Sequence, residues 1–238
     1  MPPVVIAHRG ASGTRPENTL CAFRRAAELG APMVELDVQL TRDGEVVVIH
    51  DLTLERTTDG SGPVRHRSLA EIRRLDAGSW FGPSFRGERI PTLAEVLDAI
   101  PLDVNVELKP CGADGLEPRA LAIVEAAGAL DRVVFSSFDP GALERLRACS
   151  VRATLAVLWE YDPIPEAVRR AERVDARALH LRKEAVSPDA LRAAAVAGLP
   201  VRVWTVNAPA EFTRLAAAGV SGIFTDHPER FLLPATPE

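Results

Sequence analysis

The sequence is poor in several features that would narrow its function. Only 5% of its 238 residues are aromatic, and there is a single tyrosine. The three cysteines, Cys21, Cys111 and Cys149, are odd in number and widely spaced. They fit neither a disulfide framework nor a zinc-ligand spacing, so a reducing compartment is expected. No apolar run approaches the ~20 residues needed to cross a bilayer. The first strand-like run begins at Val4, which leaves no room for a secretory leader. A cytoplasmic location and no stable membrane insertion are the expectations. A basic surplus is also missing: 28 Lys and Arg stand against 33 Asp and Glu, a net charge of −5. Nucleic acid is therefore not an expected partner. An acidic protein that handles an anionic substrate must gather positive charge locally, in a metal ion or a few basic side chains.

What the sequence does contain is a 47% hydrophobic fraction, 26% charged residues, and a regular alternation of short β-branched runs with Ala-, Leu- and Arg-rich stretches. Strands are expected at residues 4–7, 33–40, 45–49, 103–108, 132–136, 153–158, 178–181, 201–206 and 221–225. Helical stretches lie between them at 19–29, 92–99, 118–127, 140–148, 165–171, 188–197 and 209–218. Several helices open with proline, whose missing N–H costs nothing in the first turn. Several are followed by glycine (Gly30, Gly128, Gly198, Gly219), as a left-handed C-cap requires. Such alternation implies parallel strands joined by helical crossovers, and the length suits one (β/α)8 barrel. A single catalytic domain over residues 1–238 is expected.

Nine strands are one too many for that barrel. The segment Thr41–Gly44 is too short for a parallel crossover, so the run after it must return antiparallel as a hairpin extending strand 2. Pairing Leu40 with Glu45 places Glu35 opposite His50. Residues from about 51 to 90 are rich in Gly, Ser and Arg and carry one short helix near Ser68–Leu75. They read as a small insertion over the mouth. The tail after Phe231 reads as short and loose.

Barrels of this kind carry their chemistry at the C-terminal strand ends. Those ends supply His8, Arg9 and Gly10; Glu35 and Asp37; His50 and Asp51; Asn105, Glu107 and Lys109; Ser136 and Ser137; His180 and Arg182; Trp204 and Thr205; and Thr225 and Asp226. Glu35, Asp37 and Glu107 stand in otherwise apolar strands, where an unpaired carboxylate is costly. An oxygen-only set suits one hard divalent cation, Mg²⁺ or Ca²⁺. The competing assignment is a salt-bridge network with Arg9 and Lys109. His8 and His50 form the natural acid–base pair, since imidazole exchanges protons near neutral pH. Arg9 and Lys109 supply the local positive charge and can hold phosphate oxygens, although Arg9 has Glu17 as a rival partner. Glu17 is expected to organise the loop and Asn18 to cap the first helix. His66 reads as exposed, His180 as lining the mouth and His227 as a loop residue, and none is assigned a role.

Together the stretches "HRGASGTRPENT" (8–19), "VELDVQLTRDGEVVVIHD" (34–51), "NVELK" (105–109), "VWTVN" (203–207) and "GVSGIFTDHP" (219–228) resemble the glycerophosphodiester phosphodiesterase family. "LDAGSWF" (75–81) and "IPTLAEVL" (90–97) extend the likeness to nearly the whole chain. The resemblance implies a metal-dependent hydrolase that releases glycerol 3-phosphate and an alcohol from a small glycerophosphodiester. It implies His8 and His50 as catalytic residues, Glu35, Asp37 and Glu107 as metal ligands, and Arg9 and Lys109 as phosphate contacts. Trp204 would line the glycerol side of the pocket. His227 stands where the family commonly has an aromatic residue. The expected reaction is in-line displacement at phosphorus. The substrate's own 2-hydroxyl is favoured over water as nucleophile, because a tethered group has the entropic advantage.

Three other functions compete with this one. A lysophospholipase D would call for apolar residues exposed around the mouth, and Trp80, Phe81 and Phe85 are the candidates. A metal-dependent amidohydrolase would show an His-x-His pair, whereas His8 is followed by Arg9 and Gly10. A non-catalytic phosphate binder would lack one of the histidines or carboxylates, and all are present.

Overall fold

The computed structural model describes residues 2–110, 115–161 and 163–232. Cys111 and the chain beyond Leu232 lie outside the described residues. Among the described residues nine strands form one sheet: β1 (Val4–Ala7), β2 (Met33–Leu40), β3 (Val46–Val48), β4 (Asp103–Leu108), β5 (Val133–Ser137), β6 (Thr154–Trp159), β7 (Ala178–Arg182), β8 (Val201–Trp204) and β9 (Gly222–Thr225). All neighbours pair in parallel except β2 and β3, and pairing of β1 with both β9 and β2 closes the ring. The result is an eight-stranded parallel barrel with one antiparallel arm.

The described residues form eight α-helices: α1 (Leu20–Glu28), α2 (Leu69–Ile72), α3 (Leu93–Ala99), α4 (Leu116–Ala126), α5 (Pro140–Cys149), α6 (Ile164–Arg173), α7 (Pro188–Val196) and α8 (Pro209–Ala217). Their starts follow local chemistry. Ser68 and Thr92 each close a capping box with the glutamate three residues on, which satisfies two free backbone donors at once. The helices cover the barrel, so β2 is buried on both faces from Met33 to Leu40, as parallel sheets require. A main core fills the space between barrel and helices. A smaller cluster, Val47, Ile49, Leu54, Val64, Ile72, Ala77 and Ile90, packs the 51–90 segment against the antiparallel arm.

The hairpin register differs by one residue from the sequence expectation. Leu40 opposes Val46, and Val38 opposes Val48. The cause is Gly44, which adopts φ +82°. Thr41 N–H donates to Glu45 O at 2.9 Å, and Gly44 N–H donates to Thr41 O at 3.0 Å. That is a tight turn closed by a left-handed glycine bulge, so Thr41 rather than Leu40 faces Glu45. His50 is accordingly not opposite Glu35. It reaches the mouth because the chain leaves the sheet after Val48, with Ile49 N–H still donating to Asp37 O.

Two further expectations are corrected. The cap of α1 is Thr19, whose hydroxyl accepts from Ala22 N–H, and Asn18 is used elsewhere. His180 does not line the mouth, being wholly buried inside the barrel against the Phe224 ring. No helix among the described residues is long and apolar enough to cross a membrane.

Candidate active site

The mouth of the barrel holds a cavity of about 140 Å³. Its polar side is formed by His8, Arg9, Glu35, His50, Asn105, Glu107, Lys109 and Thr205, and its apolar wall by Phe138, Leu158, Trp204 and Phe224. Seven of the eight residues singled out from the sequence thus line one space. The eighth, Asp37, lies beside it, fully buried.

Alternation along β2 and β4 turns Glu35, Asp37 and Glu107 inward, with Asp37 and Glu107 paired across the two strands. One oxygen from each lies within 4.8 Å of the others. Burial pushes Glu35 well above the usual carboxylate range, with Asp37 and Glu107 adding repulsion. Burial likewise raises Glu107 to about 7, against the pull of Lys109. Asp37 is held low: burial opposes its charge, but Lys109 and Arg9 outweigh it. Three buried carboxylates of which only one ionises readily are short of positive charge, and the oxygen donor set fits a hard divalent cation. Carboxylates on β2 and β4 form the candidate metal centre.

The alternative salt-bridge network is also present. Lys109 Nζ is 2.5 Å from Glu107 Oε1 and 3.0 Å from Asp37 Oδ1. Arg9 Nε is 3.3 Å from Asp37 Oδ2, and its Nη1 donates to Glu17 at 2.8 Å. Arg9 itself sits at φ 55°, a left-handed conformation that costs a non-glycine residue about 1–2 kcal/mol. In return its backbone N–H donates to Glu35 Oε2 at 2.9 Å. Asn18 shares that conformation at φ 58°, and its amide donates to Asp37 Oδ2 at 2.8 Å.

Each histidine is backed by an aspartate. His8 Nδ1 is 2.7 Å from Asp226 Oδ1, and His50 Nδ1 is 2.7 Å from Asp51 Oδ1. Asp51 is held well below its usual range, chiefly by hydrogen bonds from Arg56. Asp226 is also held low, His8 and Asn207 outweighing the effect of burial. Ionised carboxylates only accept, so each Nδ1 must carry the proton, which leaves each Nε2 free to give or take one. Burial lowers the pKa of His50, although Asp37 opposes the shift.

Several positioning residues escaped the sequence reading. Gln39 donates to the carbonyls of Ile49, His50 and Asp51 at 2.9, 3.1 and 2.7 Å, and so holds the arm's exit. Arg56 binds both Asp51 and Glu17. Asn207 fixes Asp226 by donating to Oδ2 at 2.7 Å and accepting from its N–H at 2.9 Å. Gln39 had a signal, since it shares its strand face with Glu35 and Asp37; contacts as distant in sequence as Arg56 to Glu17 had none. His227 packs its ring over Gly13, where a Cβ would meet it at 2.3 Å, and pairs with Glu229 at 2.9 Å. Trp80 is 40% exposed, while Phe81 and Phe85 stack edge-on within the same segment.

A closed parallel barrel gathers acids, imidazoles and cationic side chains at one mouth, the end at which enzymes of this fold carry their active sites. The model of the glycerophosphoryl diester phosphodiesterase family matches residues 8–230, and the chain belongs to that family of phosphoric diester hydrolases. It is 40% identical to a glycerophosphodiester phosphodiesterase from Caldanaerobacter subterraneus, over 98% of this chain and 97% of that one. Among solved structures it is similar to an Oleispira antarctica phosphodiesterase in complex with its product sn-glycerol 3-phosphate. That match has a TM-score of 0.87 and 35% identity, and covers 96% and 94% of the two chains. A glycerophosphodiester phosphodiesterase from Agrobacterium tumefaciens matches with a TM-score of 0.84 and 30% identity, covering 98% and 99%.

Proposed function

We propose that the protein hydrolyses glycerophosphodiesters to sn-glycerol 3-phosphate and an alcohol, with His8 and His50 as the acid–base pair. The observation that carries this reading is the placement of two aspartate-backed imidazoles and three clustered carboxylates around one cavity. Glu35, Asp37 and Glu107 would hold one divalent cation, Mg²⁺ or Ca²⁺. When bound, such an ion neutralises charge developing on the phosphoryl oxygens.

The remaining work falls to the protein's own side chains. Arg9 and Lys109 bind phosphate oxygens, Arg9 through its fork and Lys109 as a point charge. Trp204 lines the glycerol side, held by its indole N–H donating to His180 O at 3.1 Å and by the Phe138 ring packed edge-on. One imidazole Nε2 takes the proton from the glycerol 2-hydroxyl as it attacks phosphorus, and the other protonates the departing alkoxide. Water then opens the cyclic phosphate with the roles reversed. The 51–90 segment acts within the single catalytic domain, tied to the mouth through Arg56. A cytoplasmic setting is part of the same reading, consistent with the free thiols of Cys21 and Cys149.

The test is release of glycerol 3-phosphate from a panel of glycerophosphodiesters, with and without chelator and with Mg²⁺ or Ca²⁺ restored. His8→Ala and His50→Ala should each lower turnover by about 10²–10⁴-fold with the fold intact. Wild-type turnover in either variant refutes its role.

A further inference from the structure

The floor of the cavity holds a polar group that the reaction described above does not use. Asn105 is 1% exposed and lines the cavity. On β4 it lies two residues before Glu107, so it sits about 7 Å deeper in the barrel on the same face. It is level with Glu35 on β2. Its Nδ2 donates to Ser136 Oγ at 2.9 Å, and Ser136 is itself fully buried. Its carbonyl oxygen Oδ1 has no protein partner although it is buried. A buried amide oxygen without a donor is destabilising, and it calls for a donor that the protein itself does not supply.

The surrounding groups narrow that role. The basic side chains of the cavity, Arg9 and Lys109, sit beside the carboxylates nearer the mouth, where the phosphate is to be held. The floor thus meets a part of the substrate removed from phosphorus. The group at that depth must offer an O–H or N–H, because Oδ1 only accepts. It must also be compact, because Phe224, Leu158 and Trp204 close the space beside it. The glyceryl group common to all substrates of this class has such a donor at the carbon farthest from phosphorus.

We propose that Asn105 is a specificity-determining residue whose carbonyl oxygen accepts a hydrogen bond from the terminal 1-hydroxyl of the substrate's glyceryl group, oriented by Ser136. The assignment rests on the proposed glycerophosphodiester hydrolysis and adds to it the selection of glycerol over a propanediol. A site built around a hydroxyl rejects the analogue lacking it because its own polar group is then left unpaired.

The experiment compares glycerophosphocholine with its 1-deoxy analogue, the propane-1,2-diol phosphodiester of choline, for the wild type and Asn105→Ala. The analogue keeps the 2-hydroxyl and the leaving group. The wild type is expected to prefer glycerophosphocholine in kcat/KM by about 10-fold or more. Asn105→Ala is expected to lose activity on glycerophosphocholine but not on the analogue, so that the preference collapses towards unity. Cation affinity, followed by calorimetry, is expected to stay the same. Asn105→Ser serves in the same assay if the alanine variant does not fold.

A preference retained in the folded variant overturns the proposal. A loss of cation affinity also overturns it, by making Asn105 a metal ligand. Failure of the wild type to cleave either diester sinks the underlying function instead, which keeps the two failures apart.

Discussion

His8 and Asp226 join the first and last strands of the barrel: the imidazole Nδ1 lies 2.7 Å from the carboxylate of a residue 218 positions away. Asn207 and Ser12 hold the other positions on that carboxylate. The ring is thereby fixed in one tautomer, with Nε2 on the side of Glu35 at 3.9 Å.

Asp226→Asn replaces an acceptor of fixed charge with an amide that can turn either way. Turnover is expected to fall by roughly 10–100-fold, less than for loss of the ring itself, with KM little changed. The Asp226 pKa is depressed in the folded protein, so its contribution to stability is present above the ordinary aspartate value near 4 and lost as pH falls below it. Urea unfolding at pH 7 and pH 3 should show a smaller acid loss in Asp226→Asn than in the wild type. An equal loss in both would assign the acid sensitivity to other groups.

Arg56 donates to both oxygens of Asp51 and both of Glu17, linking the base of His50 to the partner of Arg9. Arg56→Ala should lower kcat by ~10-fold, as for other outer partners that orient a site. Arg56→Lys should recover only part of it, because an ammonium cannot span both carboxylates as the fork does. Steady-state kinetics of the two variants decide the point, and a full rescue by lysine would reduce the link to simple charge.

A bound cation should stabilise the fold, since the carboxylate cluster exists only in the native state. At a hundredfold excess over Kd the gain is about 2.7 kcal/mol. Glu107 is raised to about 7 by burial, so below that pH the ion must displace a proton and its affinity falls. The Mg²⁺- or Ca²⁺-induced rise in Tm should therefore be larger at pH 8 than at pH 5.5. Glu107→Gln should shrink the rise at both.

Gly10 follows His8 and Arg9 at φ +82°, and a Cβ there would lie 2.6 Å from the carbonyl carbon of Ala22. Gly10→Ala combines backbone strain with a clash against rigid main chain. It should cost about 1–3 kcal/mol, read from the denaturant midpoint.

Fold and site were legible in the sequence to different depths. The barrel could be read because its signals are local: β-branched runs, proline at helix starts and a hairpin too short to be a crossover. The cluster of Glu35, Asp37 and Glu107 could be read because strand alternation is strict. The hairpin register could not, because one left-handed glycine adds a residue to the turn without changing its length in sequence. Residue type alone favours Asn18 as the cap of α1, but Thr19 takes that place and Asn18 adopts φ 58° and reaches Asp37. The depth of His180 was also hidden, since position on a strand fixes a face but not a level within the barrel.

Closure of the ring through β1, which pairs with β2 on one side and β9 on the other, has a consequence for the site. The acidic trio is complete once β4 has been made, but the first imidazole gains its tether only when the final strand arrives. The proposed metal ligands and the tether of that imidazole thus come from opposite halves of the chain, and only the closed ring brings them together. On the proposed role of His8, a barrel lacking its last parallel strand would have no working acid–base pair.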